Sequence, residues 1–519
     1  METIQLDLFS TNYAESGNTN QLLSTPCDRQ LVEERNTADC SFFLPAAGNR
    51  NSDGTMNNVG SNGNYWSSTP NDSSNAYNLN FNDGNINVNN TNRNNGQSVR
   101  CVKAFTQEGI SQSFPVFHIS KSQLLIDLFK AYYDARKHKR NTHNQLMFEI
   151  EMEDYLVQLR DELLDRTYKV GRSTCFITEE PVKREIFAAD FRDRVVHHLV
   201  YNYIMPIFDK TFIEDSYSCR KCKGTLYGIK RLEHHIRSCS RNYSRVCYVM
   251  KMDIQGYFMN IQRQRLLEIV TEDLMNFANR ASDTGEVWGE RLDYSLIFYL
   301  LEEIIMNDPT ENCLIKGKKT DWDGLPANKS LFKTPEGCGL PIGNLTSQLF
   351  SNIYLNRLDQ LVKREFREKH YGRYVDDFFI VSRQYTKLKL HKKEIKQYLS
   401  EKLGLTLHPK KSKIMDERFG ISFLGAYIKP HRKYLDNRTK RRISRRISML
   451  NNCTDPEKLR ASINSYLGCM KHYKCCKITK ELFSKNAFWE KYGFFIGNFD
   501  NFCLFPPVIN EQTIEEYKS

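Results

Sequence analysis

The 519-residue chain has no apolar run approaching the length of a membrane span, and its start, Met1-Glu2-Thr3-Ile4-Gln5-Leu6-Asp7, lacks a basic stretch followed by an apolar one. No membrane association is expected. Its 15 cysteines, odd in number and without repeating spacing, make a poor disulfide framework and point to a reducing compartment, so a cytoplasmic location is expected. Apolar material is not lacking. With 40% hydrophobic and 12% aromatic residues the chain can build real cores in several domains, which excludes a wholly disordered protein.

The formal charge of +12 is unevenly spread. Residues 1–110 hold eleven Asp/Glu against six Lys/Arg, which leaves +17 on residues 111–519. The second region is where a polyanion would bind; a merely solvated surface is the competing explanation. Composition also shifts along the chain. Residues 1–40 are a polar leader without periodicity. From Asn49 to Asn95 there are 18 Asn in 47 residues, interrupted by Tyr65, Trp66, Tyr77 and Phe81. Composition favours a poorly ordered low-complexity tract there, although the aromatics are spaced like short strand cores and Ser98–Lys103 alternates like a strand.

Beyond a linker at 106–119, helical periodicity runs from Ser120 to Leu164. Further helices are expected from Phe191, over 287–306, over Asn344–Val362 and over about 386–403, with strands at Tyr374–Ser382 and Ile421–Lys429.

The chemistry concentrates in three carboxylates. Tyr374-Val375-Asp376-Asp377 places two adjacent acids at a tight bend between apolar runs that read as a β-hairpin. Adjacent Asp residues repel and form strands poorly, so the arrangement points to a divalent cation. A third, Asp253, ends the apolar run Val246–Met252. Singly, each is most often a turn or cap residue. Together, with a Gly-rich loop and a helix between them, they match two-metal phosphoryl transfer, in which cations about 4 Å apart hold attacking and leaving oxygens in line.

On these motifs the chain resembles the reverse transcriptase family over about residues 120–480. Met252–Phe258 looks like the first palm motif, Tyr374–Asp377 matches the YxDD box, and Leu403–Lys413 and Phe423-Leu424-Gly425 resemble the two motifs that follow. The resemblance implies an α+β right-hand polymerase, with fingers and an antiparallel-sheet palm over 120–428 and a helical thumb with its tail over 429–519, preceded by the Asn-rich segment 41–105. It implies RNA-directed DNA synthesis with two Mg²⁺ ions, Mn²⁺ being an alternative. Asp253, Asp376 and Asp377 would be metal ligands, with Ile254 a backbone ligand. Phe258 would exclude a ribose 2′-OH, core packing being its other reading. Lys411, or else Lys410 or Lys413, would lie near the leaving pyrophosphate. In the fingers, Lys183-Arg184 and Arg192-Asp193-Arg194 resemble the triphosphate-holding segment, with Arg184 preferred, and Arg220 and Lys223 would contact template. Partners implied are a template RNA, a DNA or RNA primer, dNTPs and a small basic accessory protein.

Where most relatives read Pro-Gln-Gly and then Ser-Pro, this chain has Pro341-Ile342-Gly343 and Ser347-Gln348. Ile342 can pack against a nucleotide but cannot hydrogen-bond to it, which implies low fidelity. The departure resembles the branch found in diversity-generating retroelements, which copy a template RNA with errors at adenines. Residues 41–103 then resemble the end of the C-type-lectin-like variable proteins those elements diversify, and read as a translated template repeat that binds no ligand.

Downstream, Lys429–Arg446 holds nine Lys/Arg and one Asp. Arg438, Arg441, Arg442 and Arg445 fall at helical spacing, fit to line a duplex backbone. The 91 residues from Lys429 onward show no nuclease-like His/Cys cluster, so DNA cleavage is expected from elsewhere. Cys219 and Cys222 with His234, His235 and Cys239 have only partial zinc spacing and are discounted as a metal site. The competing functions are a group-II-intron-like or phage-defence reverse transcriptase and a catalytically degenerate nucleic-acid-binding protein; a carbohydrate-binding role for 41–103 is remote.

Overall fold

The computed structural model describes residues 117–137, 142–179, 182–278 and 292–505, together with 49–50, 55–57, 63–70, 75–82, 85–92 and 96–97. It divides into units 1–113 and 114–519.

In the first unit the regular segments are β1 (Asn49–Arg50), β2 (Met56–Asn57), β3 (Gly63–Pro70), β4 (Asn75–Asn82), β5 (Asn85–Asn92) and β6 (Gly96–Gln97). They form two antiparallel sheets, ordered β2-β1-β6 and β3-β4-β5. Tyr65, Leu79 and Val88 share one row of the second sheet, and Phe81 pairs with Ile86. Composition predicts poor order here, yet the spacing of these apolar residues among asparagines meets the two-residue repeat of a strand, and the described part is paired sheet. The leader and the strand expected at 98–103 lie outside the described residues.

The second unit runs α1 (Lys121–Arg136), α2 (His143–Ile150), α3 (Met152–Leu164), β7 (Ser173–Thr178), β8 (Arg184–Ala188), α4 (Phe191–Thr211), α5 (Thr225–Cys239), β9 (Tyr248–Asp253), α6 (Arg263–Ala278), α7 (Tyr294–Met306) and β10 (Cys313–Ile315). It continues with α8 (Leu345–Gln360), β11 (Tyr371–Tyr374), β12 (Asp377–Ser382), α9 (Tyr385–Leu403), β13 (Lys413–Asp416), β14 (Ile421–Phe423), β15 (Ala426–Lys429) and β16 (Arg432–Leu435). α10 (Asn437–Met449), α11 (Pro456–Met470), α12 (Cys476–Lys485), β17 (Gly493–Ile496) and β18 (Asn501–Leu504) complete it.

Alternation in two strands sets the layout. The antiparallel sheet β11-β12-β9-β13 is buried on both faces. Met250, Met252, Phe378 and Ile380 enter a large core with α1, α3, α4 and α6 to α9, while Val249, Phe379 and Val381 meet Ile229, Leu232 and Ile236 of α5 and the meander β14–β16 on the other side. α8 is buried almost all round, as a helix at the centre of a layered domain must be. Caps fix the helix starts: the Asp190, Asp293 and Asp436 side chains accept from Arg192 N, Leu296 N and Thr439 N at 3.1, 2.9 and 2.7 Å. The helix expected over 287–306 thus begins at Tyr294, behind its Asp293 cap, and residues 279–291 lie outside the described ones.

β8 and β10 flank β7 in a small separate sheet whose core is Cys175, Phe187, Met259 and Leu331. A further core joins α10–α12 with Phe502 of β18. The boundary expected at 428/429 falls inside the hairpin β15–β16, whose strands pair from Ala426–Leu435 to Lys429–Arg432. Among the described residues no helix is long and apolar enough to cross a membrane.

Candidate active site

The last residue of β9 and the first of β12 are register partners, so Asp253 and Asp377 lie directly opposite each other on one sheet face. Such partners have Cβ atoms about 4.5–5.5 Å apart, close enough to share a cation. Asp376 occupies the two-residue turn between β11 and β12, whose Tyr374 and Asp377 close the hairpin. Its companion Val375 has φ +53°, a left-handed conformation that a β-branched residue rarely adopts. Strain of about 1–3 kcal/mol at such a position persists only where the surroundings enforce it.

Arg373 does the enforcing. The side chain is completely buried, as is Asp359 of α8, and the two form a bidentate pair, with Nε to Oδ1 at 2.8 Å and Nη2 to Oδ2 at 2.6 Å. The same guanidinium donates to the Val375 carbonyl at 3.2 Å and to Asn352 Oδ1 at 3.2 Å. Tyr371 Oη donates to Asp359 at 2.6 Å, and Arg373 N and O bond Asp215 O and Tyr217 N at 2.8 and 2.9 Å. One residue thereby ties the carboxylate turn to α8 and to the segment before α5. Sequence reasoning missed it: an arginine in a strand beside acids reads as solvated.

Burial and the neighbouring Asp253 and Asp377 carboxylates push the Asp376 carboxyl up to about 6. Burial also raises Asp377, opposed by Lys251, whose Nζ lies 3.3 Å from Oδ1 but outside hydrogen-bond geometry. Lys251 was also missed, although its place two residues before Asp253 in a strand puts it on the same face. Lys411 Nζ sits 3.1 Å from both oxygens of Asp253, which singles it out from Lys410 and Lys413. Ile254 bridges Leu407 through bonds made by its neighbours, Gln255 N to Thr406 O at 2.8 Å and His408 N to Asp253 O at 2.7 Å, so its own carbonyl is not spent there.

The donor set is all hard oxygen, and the buried, donor-less Asp377 Oδ1 is the kind of atom that Mg²⁺ or Mn²⁺ satisfies. As the side chains stand, lysines neutralise the acids. Among the described residues no three His, Cys, Asp or Glu side chains are gathered so as to hold a metal ion.

Phe258 and Ile342 pack on the same small core of Cys175, Phe187, Met259 and Leu331. The Ile342 carbonyl accepts Phe187 N at 2.9 Å. At Gly343, φ is +138° and an added Cβ would lie 2.7 Å from the Phe187 carbonyl, so only glycine lets this loop lie against β8. Gln348, exposed on α8, accepts from Cys219 Sγ at 3.1 Å. Arg184 is exposed, and its charge acts on the half-buried Tyr374.

Other expected contacts are spent elsewhere. Arg220, only 7% exposed, donates to Asp209 Oδ1 at 2.6 Å and to the carbonyls of Asp209, Ile213 and Ser216, which leaves its fork little to offer a phosphate. Lys223 is held by Glu214. Arg192 pairs with Glu162 and lies over the Tyr168 ring, Arg194 donates to Ala189 O at 3.0 Å, and Lys183 pairs with Glu179. Lys183, Arg194, Arg220 and Lys223 find these acceptors on their own segments, whereas Arg192 finds its acceptor on α3. Arg438, Arg441, Arg442 and Arg445 are all exposed on α10, opposite the buried Ile443 and Ile447. Cys219 and Cys222 are exposed, whereas His235 is buried and bonded to Asp215 at 3.0 Å.

A mixed α/β domain with two acids at a β-hairpin and a third on the adjoining strand is the setting in which the comparisons with known proteins fall. Residues 291–428 match the family described as reverse transcriptase (RNA-dependent DNA polymerase), and residues 16–102 match a domain of unknown function. The first match supports RNA-directed DNA polymerase activity in general and takes in Asp376, Asp377 and Lys411. Protein YkfC of Escherichia coli (strain K12) is 23% identical over 319 residues, 54% of this chain and 73% of that protein. Telomerase from Candida albicans, in complex with a fragment of telomeric RNA, superposes with TM-score 0.37 at 11% identity, covering 66% of this chain. Apo telomerase from Candida tropicalis does so with TM-score 0.37 at 12% identity, covering 62%. The chain spans 60% and 59% of those two telomerase chains.

Proposed function

We propose that the protein is an RNA-directed DNA polymerase that copies a template RNA into cDNA and does so with low fidelity, as in a diversity-generating retroelement. The observation that carries the polymerase reading is the Asp253–Asp377 register pair with Asp376 in an enforced turn beside it. The sheet β11-β12-β9-β13 corresponds to a palm, β7, β8 and β10 to fingers, and α10–α12 to a thumb.

Asp253, Asp376, Asp377 and the Ile254 carbonyl would hold Mg²⁺, which supplies Lewis-acid stabilisation of the transferring phosphoryl group. Lys411, 3.1 Å from Asp253, would lie near the leaving pyrophosphate and offset its charge. Arg184 presents a second cation. Ile342 packs on the nucleotide without hydrogen-bonding to it, so that misaligned bases lose little, and Phe258, packed on the same small core, excludes a ribose 2′-OH.

The test is primer extension on an RNA template. Asp376→Ala should lower the rate by at least about a thousandfold, the several kcal/mol of cation stabilisation, and intact extension would defeat the mechanism. Ile342→Gln should reduce errors opposite template adenines; an unchanged spectrum would remove the low-fidelity reading while leaving the polymerase. Residues 41–103 are proposed as a translated template repeat, which requires a near-copy in the flanking DNA differing mainly at adenines.

A further inference from the structure

The meander β14–β16 has two unlike faces. Ile421, Phe423, Ala426 and Ile428 are buried in the core shared with Phe379 and Val381 of the central sheet. On the other face, Tyr427 pairs in register with Tyr434, and Lys429 with Arg432. With Pro430 and His431 these line an open groove of about 460 Å³, and among the described residues none of those lining it is acidic.

The groove is built rather than incidental. Tyr427 Oη donates to the Phe419 carbonyl, which fixes its ring. Gly420, at φ +87°, allows that close approach, because an added Cβ would lie 2.6 Å from the same ring. His431 takes φ +61° in the turn and packs its ring 4.4 Å from that of Tyr243. Lys429 Nζ lies 5.7 Å over the Tyr427 ring. Among the described residues, neither Lys429 nor Arg432 has an acidic partner, whereas the adjacent Lys433 is paired with Glu233 at 2.8 Å. Phe419, beside the groove, is 75% exposed.

We propose that this groove binds single-stranded RNA, with bases stacking on Tyr427 and Tyr434 and phosphates meeting Lys429 and Arg432. Unpaired cations beside partly exposed rings suit a strand whose base faces are free. A duplex keeps those faces stacked internally, and an acidic peptide would need the cations but not the two rings. The choice of RNA over DNA rests on the polymerase reading, since the unpaired strand such an enzyme handles is its template.

The test uses the full chain saturated with a primer–template duplex, so that the carboxylate cleft is filled, and measures binding of a short labelled oligouridine. Tyr434→Ala should weaken binding by about tenfold or more, while Tyr434→Phe retains it. Lys429→Ala combined with Arg432→Ala should flatten the salt dependence of binding. Tyr434→Ala should leave the melting temperature and the extension of an annealed primer unchanged. Equal binding by wild type and Tyr434→Ala would overturn the proposal, as would equally effective competition by duplex RNA or by oligodeoxythymidine. Loss of the polymerase reading would show as a wild-type protein that fails to extend, an outcome independent of the oligouridine arm.

Discussion

Two sets of basic side chains, one in residues 183–223 and one in residues 438–445, look alike along the chain and differ in the fold. In the first, Lys183, Arg192, Arg194, Arg220 and Lys223 turn inward to carboxylates or carbonyls, and Arg184 alone of those expected to bind is exposed, its charge acting on Tyr374 of the β11–β12 hairpin. In the second, four arginines lie on the exposed face of α10, and Arg438, Arg441 and Arg442 among them carry the comparison. The difference is legible once acids are counted with bases. Asp209 and Glu214 precede Arg220 and Lys223, whereas Asn437–Met449 contains no acid. A basic residue near acids tends to brace the fold, and one without them remains available to a polyanion.

The largest expected effect is at the most deeply braced charge. Arg373→Ala leaves Asp359 buried and unpaired, which should cost about 3–5 kcal/mol of stability in a denaturant titration. A loss below about 1 kcal/mol would break the contrast. His197 comes next. It is fully buried on α4 beside Thr346 Oγ1 at 2.8 Å, and burial lowers its pKa from 6.5 to about 3. Between those values the unfolded chain binds the proton and the folded chain does not, so this contribution falls as pH drops below 6.5. From about pH 7 to 5 the loss should be about 2 kcal/mol, read as the difference in pH slope between wild type and His197→Gln. Smallest in stability is the sharpest test of the comparison. Arg220→Ala should cost about 1–3 kcal/mol with the salt dependence of primer–template binding unchanged. Arg438→Ala, Arg441→Ala and Arg442→Ala together should move stability by no more than about 0.5 kcal/mol while lowering the salt slope by about one for each phosphate left without its arginine. If the two sets respond alike, the distinction drawn from their partners is wrong.

What the sequence carried and what it hid follow the same physics. Asp253 and the Asp376-Asp377 bend were visible because acids at strand ends conflict with local propensity, and a conflict of that kind marks chemistry. The helices from Ser120, from Phe191 and at 386–403 were visible by period. Arg373 was not, because its partner Asp359 lies 14 residues earlier on another element and only the tertiary fold brings them together. The left-handed Val375 was hidden because nothing local favours it. The packing of Phe258 and Ile342 on one core was hidden too, since 84 residues separate them.

Arg373 and Asp359 also bear on descent. Neither can be lost alone without leaving a bare charge in the core, so the two should be inherited or replaced as a unit. Because the arginine also grips the Val375 carbonyl, replacement of both would release the turn that presents Asp376. Under the proposed function, a lineage that has abandoned catalysis can drop the pair together and keep its fold, whereas one that still polymerises should keep it. Among relatives of this chain, that pair should separate working enzymes from those that retain only the shape.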